Sequence, residues 1–172
     1  MLSDLKRERA EVLARFRQDQ HPLGPEAMKE IRDLFAHRID CHLDAGHGEC
    51  YLRHPAVAKI VENALRHFVA ARYVLHAWCI MPNHIHVVLT PVNGHSLPSI
   101  MKSLKGFTGK EANRVLDRDG PFWQIEYYDH LIRDDSEFAH AVRYTLENPI
   151  KAKLRDWPWV WASADALKRI AG

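Results

Sequence analysis

The amino-acid sequence predicts an α+β fold in which helices surround a small antiparallel sheet. Apolar residues recur at helical spacing before residue 72 and within 96–116 and 136–148. Runs rich in β-branched and aromatic residues occupy 73–91 and 122–132. The resulting order is helix, two strands, helix, strand, helix. This order is typical of an α+β domain built on an antiparallel sheet.

The first fifty residues predict a helical extension that precedes the main domain. Leu5, Val12 and Phe16 are helically spaced among charged residues, and Pro25 suits the first turn of a second helix. We therefore expect a helical hairpin over residues 1–50 and a separate domain over residues 51–172. Cys50-Tyr51-Leu52, at the junction, is expected to be short and extended.

The next segment predicts a helix followed by a pair of strands. Pro55 to Arg72 carries an apolar stripe at helical spacing. Tyr73 to Pro91 predicts two strands interrupted at Met81-Pro82-Asn83. Pro82 is expected in the connection because proline cannot donate a ladder hydrogen bond.

The remaining elements are a helix, a strand and a last helix. Ser96 to Leu116 has helical spacing, and Phe122 to Ile132 is aromatic and predicts an extended strand. The last helix is expected over Ser136–Asn148. Asp135 or Ser136 would cap its start, and Pro149 would stop it.

Composition narrows the class of protein. The 172 residues carry a formal net charge of only +2, so any nucleic-acid surface must be a local basic patch. Cys41, Cys50 and Cys79 form no CxxC pair, which argues against a disulfide framework and a structural zinc site. A charged amino terminus and the lack of a long apolar run predict a soluble, cytoplasmic protein without a membrane span.

Two histidines form a candidate metal-binding pair. Side chains alternate along a strand, so His84 and His86 would point the same way while Ile85 enters the core. Two solvent-facing histidines without a metal are the alternative reading. A third ligand would have to come from elsewhere in the fold.

Tyr144 is the candidate nucleophile on the last helix. It projects about 120° from the centre of the apolar stripe, which consists of Phe138, Ala141, Val142, Thr145 and Leu146. Asn148, four residues on, lies on the same flank and offers a carboxamide oxygen suited to Mg²⁺ or Mn²⁺. The alternative is a rim tyrosine and a helix-terminal cap. Tyr127 and Tyr128 are rival nucleophiles, but neither has a carboxamide at helical spacing.

Three sequence blocks, MPNHIHVVL, GPFWQIEYYDHLIRD and AVRYTLENPIKAKL, closely resemble the REP-associated tyrosine transposases in order and spacing. These are relatives of the IS200-like, single-tyrosine HUH transposases. The resemblance runs from about Asp44 to Trp161. It implies a ferredoxin-like antiparallel sheet carrying the histidines, with residues 51–172 as the catalytic domain. It also implies cleavage of single-stranded DNA at hairpins of repetitive extragenic palindromes (REP).

The same resemblance assigns roles to individual residues. His84 and His86 match the metal pair, Tyr144 matches the nucleophile, and Asn148 matches the third ligand of a bound Mg²⁺ or Mn²⁺. The product would be a 5′-phosphotyrosine with a free 3′-hydroxyl, made by a monomer or a homodimer. The candidate DNA-contacting cations are Lys102, Lys105, Lys110, Arg133, Arg143 and Lys151. For each lysine, a solvated helix face is the alternative.

The chain also departs from the family pattern. The family usually opens with a strand-forming run, whereas this chain begins with LSDLKRERAEVL. Either the start lies upstream, or the sheet is completed differently, for example by a partner chain at an exposed edge. Two other functions stay open. One is an inactive DNA-hairpin-binding protein, and the other is a metal-dependent hydrolase using Glu147 or Asp129 as an acidic ligand.

Overall fold

The computed structural model describes residues 48–125 and 127–171 and a few single positions before them, which are Arg7, Glu8, Glu11, Ala14, Gly24 and Arg38. The chain divides into two compact units, Met1–Gly48 and Glu49–Gly172. Apart from those single positions, the helical hairpin predicted for residues 1–50 lies outside the described residues.

The second unit alternates helices and strands. Its elements in chain order are a 3-10 helix (Tyr51–Arg53), α1 (Pro55–His67), β1 (Tyr73–Ile80), β2 (Ile85–Pro91), α2 (Leu97–Val115), α3 (Asp135–Lys151), β3 (Val160–Ala162) and α4 (Ala164–Ala171). This arrangement confirms the α+β class with an antiparallel sheet flanked by helices. The extended start predicted at Cys50-Tyr51-Leu52 is wrong, because Tyr51 and Leu52 belong to the 3-10 helix. Among the described residues, no helix is long and apolar enough to span a bilayer.

Side-chain caps set where the later helices begin. Ser96 caps α2 by accepting an amide hydrogen bond from the first turn. Asp134 caps α3 by accepting from the Glu137 amide at 2.8 Å. The predicted cap, Asp135 or Ser136, is therefore wrong by at least one residue. A carboxylate at this position satisfies an amide that has no partner within the helix.

Helix α3 continues through Pro149, where the sequence predicted that it would stop. The helix ends at Lys151, and the Leu154 amide donates back to the Pro149 carbonyl. Lys153 adopts a left-handed φ of 56°, which completes a Schellman-type ending. Asn148 therefore lies inside the helix and is not its last residue.

The sheet has the order β2-β1-β3, and both outer strands run antiparallel to β1. The third strand comes from the tryptophan-rich carboxyl-terminal segment, in which Trp161 pairs with Trp78. The Trp157 indole N–H also donates to the Ile80 carbonyl at 2.8 Å. These bonds give the terminal tryptophans a structural role in the sheet.

The strand predicted at Phe122–Ile132 is wrong. The described residues of this segment, which leave out position 126, form no strand. Phe122 and Trp123 instead pack against α2, where a Cβ at Gly109 would lie 3.4 Å from each of them. The aromatic residues that suggested a strand pack against a helix instead, because strand preference depends on the packing that the fold offers.

A β-bulge in β1 sets which side chains face each side of the sheet. The partners of Leu75 and Ala77 on β2 are consecutive residues, so His76 is the extra residue. Leu75 and Trp78 consequently share one face, although they are three residues apart. Ala77 faces the other side with Val88.

The sheet separates two apolar clusters. On the first face, α1 and α2 pack against Leu75 and Trp78 through Val57, Val61, Leu65, Ile100 and Leu104. On the second face, α3 and α4 pack against Ala77 through Phe138, Val142 and Ala166. His86 pairs with Cys79, two residues beyond Ala77, so it belongs to the second face. Helix α3 lies on that face as well.

Candidate functional site

The two histidines of the predicted pair lie side by side. His86 is the second residue of β2, and His84 immediately precedes that strand. Their Nε2 atoms are 2.8 Å apart, and their rings are nearly perpendicular with centroids 4.7 Å apart. His84 is buried and His86 is half-buried. The two Nε2 atoms are therefore within hydrogen-bond distance of each other at the start of β2.

Asn83 holds the His84 ring, a contact that sequence reasoning missed. The Asn83 Oδ1 atom lies 2.8 Å from His84 Nδ1. A carboxamide oxygen only accepts hydrogen bonds, so His84 Nδ1 donates the proton in this contact. The neutral ring then carries its lone pair on Nε2, the atom that faces His86. The signal in the sequence was the asparagine directly before the first histidine.

Tyr144 reaches the histidine pair from α3. Its ring meets that of His86 edge to face, with centroids 5.4 Å apart and an interplanar angle of 89°. The His140 ring stacks beside it at 6.4 Å, and Lys151 Nζ lies 4.9 Å from the Tyr144 ring centroid. Tyr144 is half-buried. This placement agrees with its position outside the apolar stripe of the helix.

Asn148 is fully buried on the same helix. Its Nδ2 atom donates to the Tyr144 carbonyl at 3.5 Å. Its Oδ1 atom has no hydrogen-bond donor among the described residues. Buried carbonyl oxygens are rarely left without a partner, because each loses its hydration on burial. An oxygen in this state is chemically suited to bind a hard cation.

The donor types on His84, His86 and Asn148 are ones that a divalent cation can accept. Imidazole nitrogens bind divalent transition metals, and a carboxamide oxygen suits harder cations such as Mg²⁺ or Mn²⁺. In the described part of the chain, no three His, Cys, Asp or Glu side chains cluster as metal ligands. Glu147 pairs with Lys151 at 3.2 Å. Glu147, one of the two acidic residues that the hydrolase alternative offered, is therefore paired with a lysine.

Three of the predicted DNA-contacting cations lie on or next to α3. The Lys151 ammonium group lies 4.9 Å from the centroid of the Tyr144 ring. Arg143 donates to a backbone carbonyl of α4 at 2.6 Å, so it fastens the two helices together. Arg133 precedes the helix and lies 3.8 Å from a Glu137 carboxylate oxygen. Of these three cations, Lys151 is the one for which the structure shows a contact with the Tyr144 ring.

The other three cations lie on α2. Lys102 and Lys105 line a groove beside this helix, and Tyr127 lines the same groove. Lys110 is exposed farther along the helix. Of the rival tyrosines, Tyr127 therefore belongs to the groove, whereas the ring that contacts His86 is that of Tyr144.

His76 is a second buried histidine on the α3 face of the sheet. Its Nε2 atom lies 2.9 Å from Thr90 Oγ1, and its ring meets Phe138 edge to face at 5.1 Å. Burial lowers the pKa of His76, the positive charge of Arg169 lowers it further, and Asp165 opposes the change. The bulge at this residue turns its ring towards α3.

The family model described as "Transposase IS200 like" matches residues 52–147, which include the histidine pair and Tyr144. The chain belongs to this family. One family relative is a Haemophilus influenzae protein named for the REP-associated tyrosine transposases. It is 33% identical over 97 residues, which cover 48% of this chain and 55% of that protein.

A second relative is the REP-associated tyrosine transposase of Escherichia coli, 26% identical over 92 residues that cover 51% of this chain and 53% of the relative. The chain therefore spans about half the length of the curated relatives it matches. No solved structure gives a significant match.

Proposed function

We propose that this chain cleaves and rejoins single-stranded DNA through a covalent bond between Tyr144 and a 5′-phosphate. A divalent cation, Mg²⁺ or Mn²⁺, would be held by His84, His86 and Asn148. The observation that carries the proposal is the contact of the Tyr144 ring with His86, 5.4 Å between centroids. Family membership supports DNA as the substrate.

The side chains divide the work of the site. When bound, the cation supplies positive charge to the scissile phosphate and stabilises the charge that develops there. Asn83 holds the His84 tautomer that presents Nε2 as a ligand. Lys151 adds a positive charge beside the Tyr144 ring, where the phosphate must approach.

The reaction is a transesterification that conserves phosphodiester bonds. The Tyr144 oxygen forms a bond to phosphorus, and the bond from phosphorus to the 3′-oxygen breaks. The electron pair stays on the 3′-oxygen, which takes a proton, while the phenol proton leaves to solvent. A 3′-hydroxyl attacking the phosphotyrosine reverses these steps, so rejoining needs no nucleotide cofactor.

We infer that the substrate is an imperfect DNA hairpin of the REP type, because both curated relatives are named for REP association. The test uses end-labelled DNA hairpins with single-stranded arms, incubated with the protein and Mn²⁺ and resolved on a denaturing gel. The wild-type chain is expected to form a covalent adduct that Tyr144→Phe does not form. Tyr128 is one of the rival nucleophiles, so Tyr128→Phe serves as the matched control and should retain the adduct.

A hairpin-binding protein without strand cleavage is an alternative. It predicts hairpin binding by the wild-type chain with no adduct in either Mg²⁺ or Mn²⁺. An adduct that persists in Tyr144→Phe would remove Tyr144 from the role of nucleophile. Sedimentation of the same samples distinguishes a monomer from a homodimer.

A further inference from the structure

A groove of about 410 Å³ lies between α2 and the aromatic segment that follows it. Phe122, Trp123 and Tyr127 contribute aromatic rings to its lining. Lys102 and Lys105 also line it, and none of its described lining residues is acidic. The groove thus combines flat apolar surfaces with positive charge.

The groove is already formed by contacts within the chain. Lys105 Nζ donates to the Ile125 carbonyl at 2.8 Å and also to the carbonyl of the preceding residue. The Trp123 indole N–H donates to Thr108 Oγ1 at 2.8 Å. These bonds fix the aromatic segment against α2. A ligand would therefore find the rings already in position.

Two glycines of α2 shape the helical side of the groove. Gly109 allows Phe122 and Trp123 to pack closely, because a Cβ there would lie 3.4 Å from both. At Gly106 an added Cβ would meet nothing within 4 Å, so the lining is open at that point. A flat group has room beside the helix backbone at Gly106.

The groove and the tyrosine site belong to different layers of the domain. Phe122 and Trp123 pack against the cluster on the first face of the sheet, with α1 and α2. Tyr144 and His86 belong to the second face, with α3. The cleavage chemistry makes no use of the groove. It is a candidate for binding a different part of the same substrate.

We propose that the groove binds unpaired bases of single-stranded DNA, away from the phosphate that Tyr144 attacks. Nucleobases stack on aromatic side chains, and lysines attract the adjoining phosphates, so both features of the lining match one ligand class. The volume is within the usual range for small-ligand sites. This inference rests on the proposed function for its assumption that the substrate is single-stranded DNA.

The variant Gly106→Leu tests the groove without replacing any of the aromatic residues that line it. The leucine would occupy the open space, and the change favours the helix. Fluorescence anisotropy compares a 20-nucleotide oligothymidylate with an abasic strand of equal length. The wild-type chain is expected to bind the thymidylate about 5- to 150-fold more tightly, from the usual effect of base stacking. Gly106→Leu should lose this preference, and Gly106→Ala should keep most of it.

Further variants separate ring, charge and assembly effects. Tyr127→Leu should reduce the preference for oligothymidylate over the abasic strand, whereas Tyr127→Phe, which keeps an aromatic ring, should retain it. Lys102→Gln should weaken binding of both strands. Lys168 is an exposed lysine of α4, so Lys168→Gln is the matched control for the loss of one positive charge. An unchanged preference in Gly106→Leu, or none in the wild-type chain, would overturn the inference. A change in the sedimenting mass of Gly106→Leu, with no change in its preference for bases, would also overturn the inference, because it would indicate that the groove contacts a second copy of the chain.

The outcome is separable from that of the proposed function. If the wild-type chain shows the base preference but forms no Tyr144 adduct, the proposed cleavage fails and the groove stands. If the adduct forms normally while Gly106→Leu keeps the full preference, the groove inference alone fails.

Discussion

Replacing Asn148 with leucine should stabilise the metal-free protein while removing its response to metal. Asn148 is fully buried, and its Oδ1 atom accepts no hydrogen bond from the described residues. An unsatisfied buried carbonyl costs about 1–3 kcal/mol. Its Nδ2 atom makes a single long bond of 3.5 Å, so little is lost when the amide is removed. Leucine has nearly the same size and needs no polar partner.

The expected gain in free energy of unfolding is about 2 kcal/mol, the middle of that range. For a chain of this length the gain corresponds to about 4–8 °C in melting temperature. Urea unfolding in EDTA measures it directly. Saturating Mn²⁺ should then stabilise the wild-type chain, by about 2.7 kcal/mol at one hundred times its dissociation constant. Asn148→Leu should gain much less from Mn²⁺.

Thr145→Val is the matched control on the same helix. Thr145 is also buried, but its hydroxyl donates to the Ala141 carbonyl at 2.8 Å. Its loss should leave stability unchanged or lower it slightly, with the Mn²⁺ response intact. Equal Mn²⁺ stabilisation of Asn148→Leu and the wild-type chain would refute the reasoning, as would a loss of more than about 1 kcal/mol in EDTA.

Two further predictions concern Asn83 and His76. Asn83→Leu should weaken Mn²⁺ binding about 10- to 100-fold, measured by calorimetry, because His84 loses the acceptor that sets its tautomer. Asn83→Asp, which keeps an acceptor oxygen, should bind Mn²⁺ far better than Asn83→Leu, and equal affinities would contradict this role. Burial lowers the pKa of His76 from its ordinary 6.5, so the unfolded chain takes up a proton first as pH falls. Stability should therefore drop below about pH 6.5, and His76→Gln should lessen the drop in urea titrations; parallel curves would show that His76 is not responsible.

Local rules allowed much of the fold to be predicted from the sequence. The strand pair around Met81-Pro82-Asn83 and the helices α1 and α2 follow from hydrophobic spacing and turn chemistry. Strand alternation predicted that His84 and His86 lie side by side, and their Nε2 atoms are 2.8 Å apart, although His84 immediately precedes β2. Such features depend on residues a few positions apart, which is the range that a sequence pattern records directly.

The errors arose where distant contacts compete with local preference. The segment after α2 was expected to be a strand because it is aromatic, but Trp123 instead bonds to Thr108 on the helix. Helix α3 continues past Pro149, since the lost amide bond does not outweigh its packing and its Schellman-type end. The third strand, β3, lies about eighty residues along the chain from its partner β1, and a local sequence pattern does not predict a pairing over that distance.

By itself, the sequence determined the family, several of the helices, the first two strands and the candidate residues, because periodicity and motif order are properties of the chain. Only the tertiary structure decided how those residues meet. The bulge at His76 restarts the alternation of β1, so that Ala77 and Val88 face α3. Packing of α3 against that face buries Asn148 and brings the Tyr144 ring to His86. These outcomes depend on contacts between elements far apart in the chain, which the spacing of residues along it does not encode.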